Sequence, residues 1–157
     1  MAENIEITSG SKAEKYQRLY PQIKALLEGE NDLIANMANV CSALKYGMDF
    51  FWVGFYLVKN EELVLGPFQG PIACTRIAKG KGVCGKAWEL NEVIVVDDVD
   101  QFPGHIACNA LSKSEIVLPV RNAKGNITAI LDVDSDAYNS FDGIDEEWLR
   151  KIVQLLS

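Results

Sequence analysis

Basic side chains are in short supply in this chain of 157 residues: fifteen Lys and Arg stand against twenty-two Asp and Glu, a formal net charge of −7. Such a surface repels a phosphate backbone, which excludes nucleic acid and anionic membranes as expected partners. Long apolar runs are missing too. Phe50 to Val58 and Glu92 to Val96 fall well short of the roughly 18 residues needed to span lipid, so no transmembrane helix is expected. Met1-Ala2-Glu3-Asn4 carries an acid where a secretory leader carries positive charge, and no apolar core follows it; the expected location is cytoplasmic. Internal repeats and low-complexity segments are absent. There is one histidine, His105, and the four cysteines form no C-x2-4-C pair, the spacing a structural zinc site uses.

What is present describes an ordinary folded domain. Hydrophobic residues make up 48% and charged residues 24%, a globular balance that speaks against disorder, and the length suits one domain spanning 1–157 with an ordered core of about 12–156. Tyr16, Leu19, Tyr20, Ile23, Leu26 and Leu27 recur at three and four, which predicts a helix over Ser11 to Leu27 that Pro21 bends or divides. Asn31 is placed to cap a second helix carrying Leu33, Ile34, Met37, Val40, Cys41 and Leu44, with Gly47 at its left-handed end. The period then shifts to strand: Phe50 to Val58, a turn at Asn60-Glu61, and Leu63-Val64-Leu65. Glycines and prolines between Gly66 and Gly85 predict loop and short helix. Val93 to Val96 reads as a short strand, and Ile116–Arg121 and Ile127–Val133 as a hairpin around Asn122-Ala123-Lys124-Gly125. A last helix starts at Asp145-Glu146-Glu147 and runs through Trp148, Leu149, Ile152 and Leu156. Helices, then strands, then a closing helix define an α+β domain on a central antiparallel sheet.

Cysteine placement carries the chemistry. Cys41 has apolar neighbours at helical spacing and reads as core. Cys74, Cys84 and Cys108 lie in glycine-bearing or turn-flanked segments, and in a reducing compartment such thiols are free, metal-binding or redox-active. A Cys3His zinc set of these three with His105 is disfavoured, because only His105-x-x-Cys108 resembles a ligand pair. Spacing alone leaves incidental thiols and redox catalysis equally open.

The motifs Gly66-Pro67-Phe68-Gln69-Gly70 with Cys74, Gly80-Lys81-Gly82-Val83-Cys84-Gly85, Phe102-Pro103-Gly104-His105-Ile106-Ala107-Cys108 and Ser114-Glu115-Ile116-Val117-Leu118-Pro119 resemble one family, the free methionine-(R)-sulfoxide reductases. These are stand-alone GAF domains, and the likeness runs from about Tyr16 to the last helix. Pro71-Ile72 and Asn109 are local departures. The resemblance implies a thiol-dependent reductase of free L-methionine (R)-sulfoxide, with Cys108 as nucleophile, Cys84 preferred over Cys74 as resolving thiol, and Trp52, Glu115, Asp132 and Asp134 lining the substrate pocket. It implies a homodimer recycled by thioredoxin, with no bound metal, flavin or nucleotide. The alternative from another class is a GAF module that senses a small ligand without turnover.

The residues suit the implied chemistry. A thiolate attacking sulfoxide sulfur must expel oxygen as water, which needs a nearby acid. The product is a Cys108 sulfenic acid, which condenses with a second thiol to a disulfide. Asp132 and Asp134 are two apart on a strand and project from one face, and Glu115 begins the partner strand. Three acids in one cleft cannot all ionise, so at least one holds a proton while another stays charged for the substrate's ammonium. Trp52 is placed to pack on the methyl thioether end. His105 is a candidate for lowering the Cys108 pKa or shuttling protons.

Overall fold

The computed structural model describes Ile5 and residues 9–157. Helix α1, Lys12–Leu27, is capped by Ser11, whose hydroxyl accepts from the Glu14 amide. Pro21 lies within α1 and does not divide it; the position is exposed, where water can satisfy the carbonyl that loses its amide partner. Helix α2, Leu33–Met48, is capped by Asp32 rather than Asn31, through a 2.9 Å bond from the Ala35 amide. Its left-handed end is Asp49, with φ 56°, and Gly47 lies inside the helix. A Cβ on Gly47 would stand 2.7 Å from Leu19 Cδ2, so this glycine serves the close approach of α1 and α2.

Strands β1, Trp52–Lys59, and β2, Glu62–Gln69, form a hairpin around Asn60 and Glu61, both with positive φ. The sequence places loop from Gly66 onward, yet β2 continues through Gly66 and Pro67. The β1–β2 register shifts between Gly54 and Tyr56, opposite these residues, and such an irregularity tolerates a proline that has no amide for the ladder. There follow β3 (Arg76–Ala78), α3 (Gly82–Leu90), β4 (Ile94–Val96), β5 (Ser114–Arg121), β6 (Ile127–Ser135) and α4 (Gly143–Gln154). The six strands are ordered β3-β2-β1-β6-β5-β4, and every neighbouring pair is antiparallel. The expected α+β architecture is therefore the one observed.

Strand periodicity divides the sheet into two faces. Val53, Phe55, Ile116, Leu118, Leu131 and Val133 face α1, α2 and α4 in the larger core, where each large apolar side chain contributes about 1.5–3 kcal/mol on burial. Trp52, Tyr56, Val117 and Ile130 face the other way, toward Val83, Cys84, Ala87 and Trp88 of α3. Helix α1 is tied to α4 by buried Asp145, which accepts from the Tyr16 hydroxyl and from Lys12 Nζ, each at 2.6 Å, while Asp142 and Asp145 close a capping box. Burial, reinforced by Asp145, pushes the Tyr16 hydroxyl far up. Among the described residues no helix is long and apolar enough to cross a membrane.

Candidate active site

The smaller face of the sheet supplies the floor of a hollow. On β6, Asp132 and Asp134 point to the face that Leu131 and Val133 avoid, and the ladders fix what stands beside them. Asp134 pairs with Trp52 on one side and Glu115 on the other, and Asp132 pairs with Gly54 and Val117. Gly54 is required here: a Cβ would lie 2.5 Å from Trp52 Cη2 and from Phe68 Cβ. The indole leans across that space, stacks on Phe68 with centroids 5.4 Å apart, and donates from Nε1 to the Pro71 carbonyl at 2.9 Å.

Sulfur reaches the hollow from above. Cys84 sits in the first turn of α3 and is 3% exposed; its Sγ lies 3.9 Å from Glu115 Oε1, within range of a weak S–H donation. Cys108 lines the same hollow from the segment between Val99–Gln101 and β5, together with His105, Ile106 and Asn109. Its sulfur is bonded to Cys74, with Cα atoms 5.2 Å apart. Tyr56 contributes its ring to the wall and donates from its hydroxyl to the Cys74 carbonyl at 3.0 Å.

Burial dominates the electrostatics. Glu115 and Asp132 are 5% and 6% exposed. Desolvation pushes Glu115 well above its ordinary value, and the charges of Asp132 and Asp134 add to the rise. Asp134 is raised well above its own value by burial and by Asp132. Asp132 is also raised by burial, but protons on Glu115, Cys84 and Asp134 oppose that rise. Of the three carboxyls, only Asp132 has every hydrogen-bond contact working against the rise. Its Oδ1 is buried and has no hydrogen-bond partner. The Cys84 thiol is pushed well above its ordinary value, first by burial and then by the three carboxyls, so it is protonated at neutral pH. Burial lowers His105, against a smaller opposing effect of Asp100, leaving an imidazole that brings no fixed positive charge to Cys108.

Trp52, Cys84, His105, Cys108, Glu115, Asp132 and Asp134 therefore meet around one hollow. Cys74 is not among the lining side chains but is joined to one of them. The sequence prefers Cys84 as the partner of Cys108; the bond found here is to Cys74, and Cys84 is a free thiol. That bond also leaves no Cys3His zinc set assembled. Cys41 is buried in the helical core, as its spacing predicts, donates to the Pro67 carbonyl at 3.3 Å, and is pushed up to about 12 by desolvation. Tyr56 and Gly54 are the lining and spacing residues that the sequence reading passes over. Both share the parity of Trp52 along β1, which is the signal that points to them.

A curled antiparallel sheet with helices on one face and a hollow under a short helix on the other defines a GAF domain, and the GAF domain family model matches residues 29–157. The chain is 64% identical to "GAF domain-containing protein A" of Dictyostelium discoideum, over 99% of each chain. It is 48% identical to the free methionine-R-sulfoxide reductase of Escherichia coli K12, covering 93% of this chain and 88% of that one. The structure of the free methionine-R-sulfoxide reductase from Neisseria meningitidis in complex with its substrate superposes with a TM-score of 0.94 at 45% identity, covering 98% of this chain and 92% of that one. The chain belongs to the free methionine-R-sulfoxide reductase family of GAF domains.

Proposed function

We propose that this protein reduces free L-methionine (R)-sulfoxide to L-methionine with its own thiols. The observation that carries the reading is the meeting of Cys108 with Glu115, Asp132 and Asp134 around one hollow. The Cys108 thiolate attacks the sulfoxide sulfur, and the oxygen, taking one proton from a neutral carboxyl such as Glu115 and another from solvent, leaves as water. Water then adds at the Cys108 sulfur, methionine departs with the electron pair of the S–S bond, and a sulfenic acid remains. The Cys74 thiolate attacks that sulfur and displaces its oxygen as a second water, forming the disulfide. The balance is one sulfoxide and two thiols in, one methionine, one disulfide and one net water out.

Asp132 is assigned to the substrate's ammonium and Trp52 to the methyl thioether. A peptide-bound methionine lacks that ammonium and would leave the buried carboxylate unpaired, which gives the preference for the free amino acid. Gly82 and Val83, in the first turn of α3, line the same hollow, and the amides of a helix's first turn suit the substrate carboxylate. The reading includes a cytoplasmic location, where such thiols stay reduced, and thioredoxin as the external dithiol. It also includes a homodimer, for which Ile34 and Tyr46, large apolar side chains exposed on α2, are candidate contacts.

NADPH consumption with thioredoxin and its reductase, measured on the separate R and S epimers and on a peptide-bound form, tests the proposal. Turnover of the free R epimer alone is expected, and no turnover of it would refute the reading. Cys108→Ser should abolish reduction, whereas Cys74→Ser should release one methionine per chain and stop.

A further inference from the structure

We propose that the acid side of the hollow is also a binding site for a divalent transition-metal cation of the Zn2+ class, held by Cys84, Glu115 and Asp132. A ligand atom from each of these three buried residues lies within 4.8 Å of the other two. The sulfur-to-oxygen separation of 3.9 Å between Cys84 and Glu115 is close to the edge of a tetrahedron built on Zn–S and Zn–O bonds of about 2.3 and 2.0 Å. With every pair within 4.8 Å, a closure of at most about 1.5 Å in any one pair brings the set to bonding distance.

Two independent observations point the same way. Asp132 Oδ1 is buried without a hydrogen-bond partner, an orphan acceptor beside two other donor atoms. Among the described residues no Lys or Arg lines the hollow, so none of their cations competes for these groups. One sulfur and two carboxylate oxygens suit Zn2+, Co2+ or Cd2+, whereas Mg2+ and Ca2+ take six or more oxygens. The three residues come from α3, β5 and β6, which are regular elements, so the geometry does not depend on ordering a loop. Three protein ligands leave a fourth position toward the hollow. The cation takes no part in the reduction; it binds in exchange for the thiol and carboxyl protons. On the reading that Asp132 receives the substrate's ammonium, cation and substrate exclude one another.

The test uses Co2+ with the oxidised protein, in which Cys74 and Cys108 are tied and only Cys41 and Cys84 remain as thiols. The expected result is one Co2+ per chain with a near-ultraviolet thiolate-to-cobalt band. The band should disappear in Cys84→Ala, persist in Cys41→Ala, and require at least tenfold more Co2+ in Asp132→Asn; free methionine sulfoxide should bleach it in proportion to its binding. Cys84→Ser serves as a second variant should the alanine variant fail to fold. No thiolate band in the native protein, or a band that survives loss of Cys84, overturns the site. A protein that binds cobalt in this way but reduces no sulfoxide keeps the metal site and loses the reductase reading; active reduction without the band does the reverse.

Discussion

Replacing Glu115 by Gln should make the protein more stable at neutral pH while removing its activity. Glu115 is a buried carboxyl whose folded pKa lies well above the ordinary 4.5. An acid raised in the folded state is neutral in both states below about pH 4, so it has no effect there. As pH rises, the unfolded chain ionises first and is favoured, and stability falls until the folded pKa is passed. At about pH 7.5 the largest possible rise that can be expressed is roughly three pH units, a ceiling of ~4 kcal/mol at ~1.4 kcal/mol per unit. Water entry and relaxation reduce this, and a gain of ~1.5 kcal/mol is the expected outcome for an isosteric amide that can still donate to Asp132. For a domain of this size that is about 3–6 °C in melting temperature. Thermal unfolding of both proteins from pH 4 to 8 measures it: the curves should coincide at the acid end and separate upward. A variant less stable by the same amount at every pH would show that Glu115 is not held protonated and would refute the reasoning.

Gly54→Ala should displace the Trp52 indole, since its Cβ would stand 2.5 Å from that ring; KM for free methionine sulfoxide should rise about tenfold, ~1.4 kcal/mol, with a shift in tryptophan fluorescence, and unchanged kinetics would remove Trp52 from substrate binding. Lys12→Met should lower stability by about 2 kcal/mol, less than for a fully buried pair because Lys12 is partly exposed while Asp145 is not. An unchanged melting temperature would show that Tyr16 and the Asp142 amide satisfy that carboxylate without Lys12.

The acid side of the site is legible in the sequence because strand period is local: once β6 is recognised, Asp132 and Asp134 must share a face, and the hairpin places Glu115 beside them. The sulfur side is not, because the pairing of Cys74 with Cys108 depends on where two irregular segments cross above the sheet. Cys84 approaches Glu115 only through the packing of α3 on β5, a contact with no sequence period. Local turn chemistry misleads in two places. Gly66-Pro67 reads as the end of a strand but sits at a register shift inside one, and Gly47 reads as a helix terminus but is a packing notch for Leu19. The Lys12–Tyr16–Asp145 network joins the two ends of the chain and leaves no short-range trace.

The bond between Cys74 and Cys108 encloses β3, α3 and β4, a separation of 34 residues, while β1, β5 and β6 lie outside it. Opening and closing it changes the chain entropy of the enclosed lobe and leaves the hydrogen-bonded ladders of the three outer strands as they were. On the proposed mechanism the redox change is thus borne by roughly a fifth of the chain, and the strands that carry Trp52, Glu115, Asp132 and Asp134 keep their calibration between one visitor and the next.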